Sequence, residues 1–337
     1  MKNDLPPATE TGSLQIMQLK RFWEKCNLKK VGKLSQEACA DEWQTDVTLL
    51  SILGLGLAQT LQYVYFESPS FEAFERWITD VTGGPDPQKI AQFNSTVGGT
   101  QKVKDSSAEK PLLTADDHAF WDEHGYLIIK NAADKNDCEE VIEALCRFIG
   151  IDRYDSSTWY NDHPERNGIM VQLFQHPALD RNRHAYRIRK AFEEVWGRKD
   201  IWVNTDRVGF NPPETATRKF QGPRLHWDVS LKLPMPFGTQ GILYLADTAE
   251  NQGAFTLVPG FNNRLEDWIK NLPAGCNPRS QDLYALGPKP IAASAGDFIM
   301  WQHALPHGSS PNTSSLPRFV QYINYEPLDR EISEVWI

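Results

Sequence analysis

The chain has 337 residues, of which 40% are hydrophobic and 23% charged, an ordinary globular composition that excludes wholesale disorder. Lys and Arg number 35 against 44 Asp and Glu, and the resulting net charge of −9 disfavours a general nucleic-acid binder or a polybasic membrane binder. Cys26, Cys39, Cys138, Cys146 and Cys276 include no C-x-x-C pair, so neither a zinc ribbon nor a disulfide framework is indicated.

Met1-Lys2-Asn3-Asp4 runs into polar residues and prolines rather than an apolar signal core, and the chain is read as cytoplasmic. Between residues 14 and 80 apolar positions recur at helical spacing. Ile16, Leu19, Phe22 and Trp23 form one stripe; Leu50, Leu53, Leu57, Leu61 and Val64 form another. Val47 to Phe66 comes nearest to a membrane span, but Thr48, Ser51, Gln59, Thr60 and Gln62, together with Gly54 and Gly56, suit a buried helix. Ser68-Pro69 resembles an N-cap and first-turn proline opening a helix with Phe71, Phe74, Trp77 and Ile78 on its apolar side, stopped at Gly83-Gly84-Pro85. Polar, Gly- and Ser-rich sequence from there to about Lys110 reads as a linker or long surface loop. Residues 1–110 are thus expected to form a helical extension plus linker, and residues 111–337 a second domain.

The character changes at Leu113. Thr114-Ala-Asp-Asp reads as a cap and acidic first turn before a helix with Phe120 and Trp121, ended by Gly125, and Tyr126-Leu-Ile-Ile reads as a strand. A second helix is expected from Asp137 to Phe148 and a third from Asn182 to Trp196. Strand-like runs follow at 201–204, 224–232, 241–247, 254–258, 298–302 and 318–325, separated by Pro and Gly turns. Short strands after helices, without regular alternation, point to an α+β fold whose antiparallel sandwich or barrel is buttressed by helices.

Leu225-His226-Trp227-Asp228 is the chemically informative segment. In a strand His226 and Asp228 share a face and Trp227 takes the other. One imidazole and one carboxylate are two thirds of the facial 2-His-1-carboxylate set that leaves three positions open on Fe(II). The run Gly296-Asp297 to His303, His307, Gly308 and Ser309 supplies a third candidate about 80 residues later. Arg318 follows His307 by 11 residues across a turn-rich stretch, which would let two strands pair and bring a guanidinium beside the metal. Open metal positions next to an arginine fit a 2-oxo acid that chelates iron while its far carboxylate meets the guanidinium.

His226-Trp-Asp228, Gly253-Ala-Phe-Thr-Leu-Val-Pro259-Gly260, Gly296-Asp297 and His307-Gly-Ser309-x-x-Asn312 to Arg318, in this order and spacing, resemble the phytanoyl-CoA dioxygenase family. The resemblance covers about residues 113–327 and implies a double-stranded β-helix (jelly-roll, cupin-like) and a non-haem oxygenase using Fe(II), with 2-oxoglutarate and O2 as cosubstrates. It implies His226, Asp228 and His307 as iron ligands, Arg318 and Ser309 holding the distal carboxylate, and Tyr244 as an aromatic against 2-oxoglutarate. The implied activity is hydroxylation or other oxidation of an unactivated C–H of a small-molecule or carrier-bound substrate. A catalytically silent jelly-roll scaffold is the alternative, opposed by the intact ligands and Arg318. Intact Asp228 also disfavours the halogenating variants.

The remaining candidates divide more plainly. His307, followed by Gly-Ser and correctly spaced from Arg318, is preferred to His303, which reads as a core histidine. His118, His124, His163, His176 and His184 read as surface or packing residues. Arg207 follows a strand expected to lie beside the H-x-D strand and is a possible substrate or cosubstrate contact; the plainer reading of Asp206-Arg207 is an ion pair. Arg181, Arg183, Arg187, Arg189 and Lys190 read as a solvated basic helix face.

Overall fold

The computed structural model describes residues 5–99, 110–333 and 335–337. Five helices come first: α1 (Leu19–Lys30), α2 (Trp43–Ile52), α3 (Leu57–Glu67), α4 (Phe71–Thr82) and α5 (Pro87–Val97). There follow α6 (Ala115–His124), β1 (Tyr126–Ile129), α7 (Lys135–Ile149), β2 (Arg166–Asn167), β3 (Met170–Val171), α8 (Pro177–Arg183) and α9 (Tyr186–Trp196). The rest is strand-rich: β4 (Ile201–Val203), β5 (Val208–Asn211), β6 (Thr239–Tyr244), β7 (Phe255–Leu257), α10 (Leu265–Lys270), β8 (Lys289–Pro290), β9 (Phe298–Gln302), β10 (His307–Ser309), β11 (Arg318–Tyr322) and β12 (Tyr325–Pro327).

These elements form two compact units. Of the described residues, the first takes 5–99 together with 199–206 and 326–330. Its core is built from Ile16, Leu19, Leu49, Val64, Phe74 and Phe93, all buried, with Trp202 and Leu328 packed against it. Tyr63 and Trp77 stack at 4.2 Å. Two local readings change. The cap of α4 is Ser70, whose hydroxyl accepts from the Ala73 amide at 3.2 Å, while Ser68 ends α3 in a left-handed turn. Residues 87–97 are helix rather than linker, because Asp86 caps the Gln88 amide at 2.8 Å, Pro87 fits the first turn, and Phe93 supplies an anchor for the core. Residues 100–109 of that expected linker lie outside the described residues. Among the described residues no single helix is long and apolar enough to cross a membrane; Ala40–Ile52 and Leu57–Glu67 reach that composition only as a pair bent by 95°.

The second unit holds two antiparallel sheets. Seven strands run in the order β1-β9-β6-β11-β5-β3-β2, and three in the order β10-β7-β8. Strand alternation sorts the large sheet into two faces. Val320 pairs with Tyr244 and Ile242 with Ile299, so Ile242, Tyr244, Ile299, Trp301 and Val320 share one face. That face forms a single core with Phe255 and Leu257 of the small sheet. Arg318, two residues before Val320, points the same way.

Three expectations about the chain beyond residue 110 are corrected. The third helix is two, α8 and α9, and its basic residues do not form one solvated face: Arg183 and Lys190 are buried, Arg181 pairs with Asp137 and Glu140, and Arg189 with Glu193. β4 pairs with β12 and not with the H-x-D segment. The expected strand over 224–232 is reduced to one isolated bridge, between His226 and His307, because β10 offers only three residues to pair with.

Candidate metal centre and cosubstrate pocket

His226 and His307 are direct cross-strand neighbours. Each backbone amide donates to the other residue's carbonyl, at 2.9 and 3.0 Å. Both rings therefore leave the backbone on one side, with centroids 4.8 Å apart. Asp228 completes the group, its Oδ1 3.1 Å from Nε2 of His226 and its Oδ2 3.2 Å from Nε2 of His307. Among the described residues this is the one His/Cys/Asp/Glu trio able to share an ion, with ligand atoms within 4.8 Å of one another. Trp227 turns away as alternation requires: it is buried, and its indole N–H donates to Ala304 O at 3.0 Å.

Backbone carbonyls set the ring tautomers. Nδ1 of His226 lies 2.7 Å from Arg224 O, and Nδ1 of His307 lies 3.1 Å from Leu305 O. A carbonyl only accepts, so each Nδ1 donates and, in a neutral ring, each Nε2 turns a lone pair toward Asp228. Such an arrangement needs either imidazolium protons or a cation between the groups. Burial opposes ionisation of Asp228, but hydrogen bonds and charge from both histidines outweigh it and hold the carboxyl well below the usual range. For His226 burial disfavours the imidazolium, and the Asp228 carboxylate more than compensates, raising its pKa. Two imidazoles and one carboxylate, with the His226 and Asp228 side chains 35% and 47% exposed, form a three-ligand site open on one side. This donor set fits Fe(II).

Gly308 makes the bridge possible. A Cβ there would lie 2.7 Å from Arg224 O, so the strand carrying His307 can approach the His226 segment only through glycine. Alternation then returns Ser309 to the same face as His307, roughly 7 Å along the strand. Ser309 Oγ accepts from Nη1 of Arg318 at 3.0 Å. Arg318 is 0% exposed, yet its Nε and Nη2 have no hydrogen-bond partner, and no described carboxylate pairs with it. An unpaired guanidinium out of water is costly. Its free fork suits a ligand carboxylate.

The phytanoyl-CoA dioxygenase (PhyH) family model matches residues 121–320. The chain belongs to that family. It is accordingly a non-haem dioxygenase dependent on Fe(II), 2-oxoglutarate and O2. It is 23% identical over 261 residues to a protein of Dictyostelium discoideum described as a phytanoyl-CoA dioxygenase, spanning 62% of this chain and 74% of that protein. It is 20% identical over 270 residues to the ectoine dioxygenase of Bordetella bronchiseptica, spanning 72% and 83%. The iron-bound structure of EctD from S. alaskensis is similar at 16% identity and a TM-score of 0.49, covering 68% of this chain and 83% of that one.

Within this family member the other anticipated residues are placed as follows. Tyr244 is fully buried on the inner face, and burial pushes its phenol up to about 12. Its hydroxyl donates to Ile291 O at 2.8 Å and accepts from the Phe255 amide at 2.9 Å, so it stitches β6 to β7 and β8 and has only its ring to offer a cosubstrate. Arg207 is half-buried just before β5, its carbonyl accepting from the Tyr322 amide at 3.2 Å, outside the trio of His226, Asp228 and His307. His303 is buried with its ring against Gly238, and it too stands outside the trio, as do His118, His124, His163, His176 and His184.

Two residues of the site were not anticipated. Gln240 Nε2 donates to Oδ2 of Asp228 at 2.7 Å, and its Oε1 is buried without a partner. Trp301, opposite Gln240 in register, has its ring 5.0 Å from that of His307 and a buried indole N–H that is likewise unpartnered. The period-2 series Gln240, Ile242, Tyr244 was the available signal for the first. A polar cavity of about 250 Å³ opens near the end of β5, walled by Tyr160, His163, Arg166, Glu214 and Arg218, with Asn211 as its link to the inner face.

Proposed function

We propose that His226, Asp228 and His307 hold Fe(II), that Arg318 and Ser309 hold the distal carboxylate of 2-oxoglutarate, and that the site hydroxylates or otherwise oxidises an unactivated C–H of a small-molecule or carrier-bound substrate. The observation that carries this reading is the fully buried Arg318, with one hydrogen bond to Ser309 and two nitrogens unmatched. When bound, iron and 2-oxoglutarate supply an oxidant from O2, with one oxygen atom going to succinate as CO2 leaves and the other available to the substrate. Arg318 orients the diacid, and the flanking apolar face of Ile242, Tyr244, Ile299 and Val320 excludes water from its far end. Gln240 donates to Oδ2 of Asp228 and would orient this carboxylate toward a bound metal.

The two facing sheets are read as a double-stranded β-helix, residues 111–337 as the dioxygenase domain, residues 1–110 as a helical N-terminal extension, and the protein as cytoplasmic. The name of the ectoine relative, which gives a small molecule as that protein's substrate, favours the small-molecule half of this reading. The testing experiment incubates the purified chain with Fe(II), 2-oxoglutarate, ascorbate and O2. Substrate-independent succinate formation that vanishes in Asp228→Ala supports the oxygenase, whereas none in the wild type favours the silent scaffold.

A further inference from the structure

We propose that Arg279 is a positioning residue for the metal centre, holding the Asp228 carboxylate in place by gripping the two peptide carbonyls that flank it. The inference rests on the metal-centre reading above and concerns what keeps that centre in shape. His226 and His307 are fixed by their mutual bridge, but beyond His226 the chain leaves the sheet and has no neighbouring strand to hold it. Arg279 takes that place. Its Nη1 donates to Trp227 O at 2.7 Å and its Nη2 to Val229 O, one carbonyl on each side of Asp228. Its Nε donates to Ile337 O at 3.1 Å. Two nitrogens of the guanidinium are thus spent on the peptide carbonyls that flank Asp228 and the third on an oxygen of Ile337, none on the Asp228 side chain.

The arginine is itself pre-placed. Asn277 Oδ1 accepts from the Arg279 amide at 2.9 Å and Pro278 opens the short turn that carries it. Trp336 lies against the guanidinium face at 4.6 Å. Ser230 and Leu231 tie the same segment down, the Ser230 hydroxyl donating to Val335 O and the Leu231 amide to Ile337 O at 3.3 Å. A planar fork presents its N–H groups from separate nitrogens held at a fixed spacing, which the point charge of an ammonium does not, so the site calls for arginine and not merely a positive charge.

The test titrates the metal-free full chain with Co(II), without 2-oxoglutarate, and follows hydrogen exchange of the 227–231 amides. Arg279→Ala is expected to weaken Co(II) binding by about 10–100-fold, as loss of a partner that orients a ligand does, and to speed exchange at 227–231 while exchange in β6 and β9 is unchanged. Arg279→Lys, which keeps charge and fold but not the fork, is expected to recover less than half of the loss on a logarithmic scale. Trp336→Ala, which leaves the fork in place, should stay within about threefold of wild type. Wild-type Co(II) affinity in Arg279→Ala, full recovery in Arg279→Lys, or an equal loss in Trp336→Ala would each overturn the proposal. Should Arg279→Ala not fold, the lysine and Trp336 variants decide it by the same criteria. A wild-type chain that binds no Co(II) overturns the metal reading itself, which separates the two failures.

Discussion

Arg318 and Ser309 meet across two different sheets, guanidinium to hydroxyl at 3.0 Å, and this is the one hydrogen bond made by an arginine with no exposed surface. Ser309 is also two residues from His307, so one strand ties the proposed metal trio to the proposed anion anchor. The first expectation follows. Arg318→Ala should bind Fe(II) as wild type does but lose 2-oxoglutarate affinity by on the order of 10–100-fold, since charge-assisted hydrogen bonds contribute roughly 1.5–3 kcal/mol. Arg318→Lys should recover part of it. Anaerobic calorimetry of the iron form measures both.

The trio makes a second expectation. Alanine at His226, Asp228 or His307 should each abolish stoichiometric Fe(II) binding, because the three donors converge on one point. His303→Ala should retain wild-type stoichiometry while lowering stability, since its buried ring fills space against Gly238. Metal analysis with a melting curve separates these outcomes.

Tyr244 provides a third. With its hydroxyl bonded to Ile291 O and the Phe255 amide, Tyr244→Phe leaves a buried carbonyl and a buried amide without that partner. Stability should fall by about 1–3 kcal/mol. Affinity for 2-oxoglutarate should change less than threefold, because the ring is kept. A large affinity loss without destabilisation would assign the hydroxyl to the cosubstrate instead.

Asp297 gives the fourth, with a definite pH sign. Burial opposes its charge, but Lys130 at 2.8 Å and the amides of Asn131 and Ser294 at 2.9 and 3.0 Å outweigh it, so its pKa is lowered. A depressed folded pKa contributes stability above the unfolded value near ~3.9, and that stability is lost as pH falls through the folded value. Asp297→Asn should therefore cost about 2–3 kcal/mol at neutral pH, and the gap from wild type should narrow below about pH 4. Denaturant titrations at both pH values report it.

These four sites show what a linear sequence displays. His226, Asp228, His307 and Arg318 stood out as candidates through the H-x-D pair and the spacing of His307 from Arg318, and Ser309 through the family resemblance; the structure brings the first three together and sets Ser309 against Arg318. The Gly296-Asp297 pair was legible as a motif, but its work was not. It staples the end of β1 to the start of β9: the Ala132 amide donates to Gly296 O at 2.7 Å, and a Cβ on Gly296 would lie 2.7 Å from Ala133 O. Residues 224–232 looked like a strand because composition records residue preference and not the length of the neighbour available for pairing. The helix α5 was hidden by polar composition, and only Ile90, Phe93 and Val97, at helical spacing, betray that it covers a core. Gln240, Trp301 and Arg279 reach the site from 12, 73 and 51 residues beyond Asp228, through register and turns, and of the three only Gln240 left a local trace, in its period-2 series with Ile242 and Tyr244.

The most direct test of the central claim is an anaerobic titration of the wild-type Fe(II) protein with 2-oxoglutarate, followed by the visible charge-transfer absorbance of a chelated 2-oxo acid. The expected result is a saturable band at one cosubstrate per iron, which Arg318→Ala shows only at much higher concentration. A wild-type protein that binds iron but develops no such band at millimolar 2-oxoglutarate would contradict it.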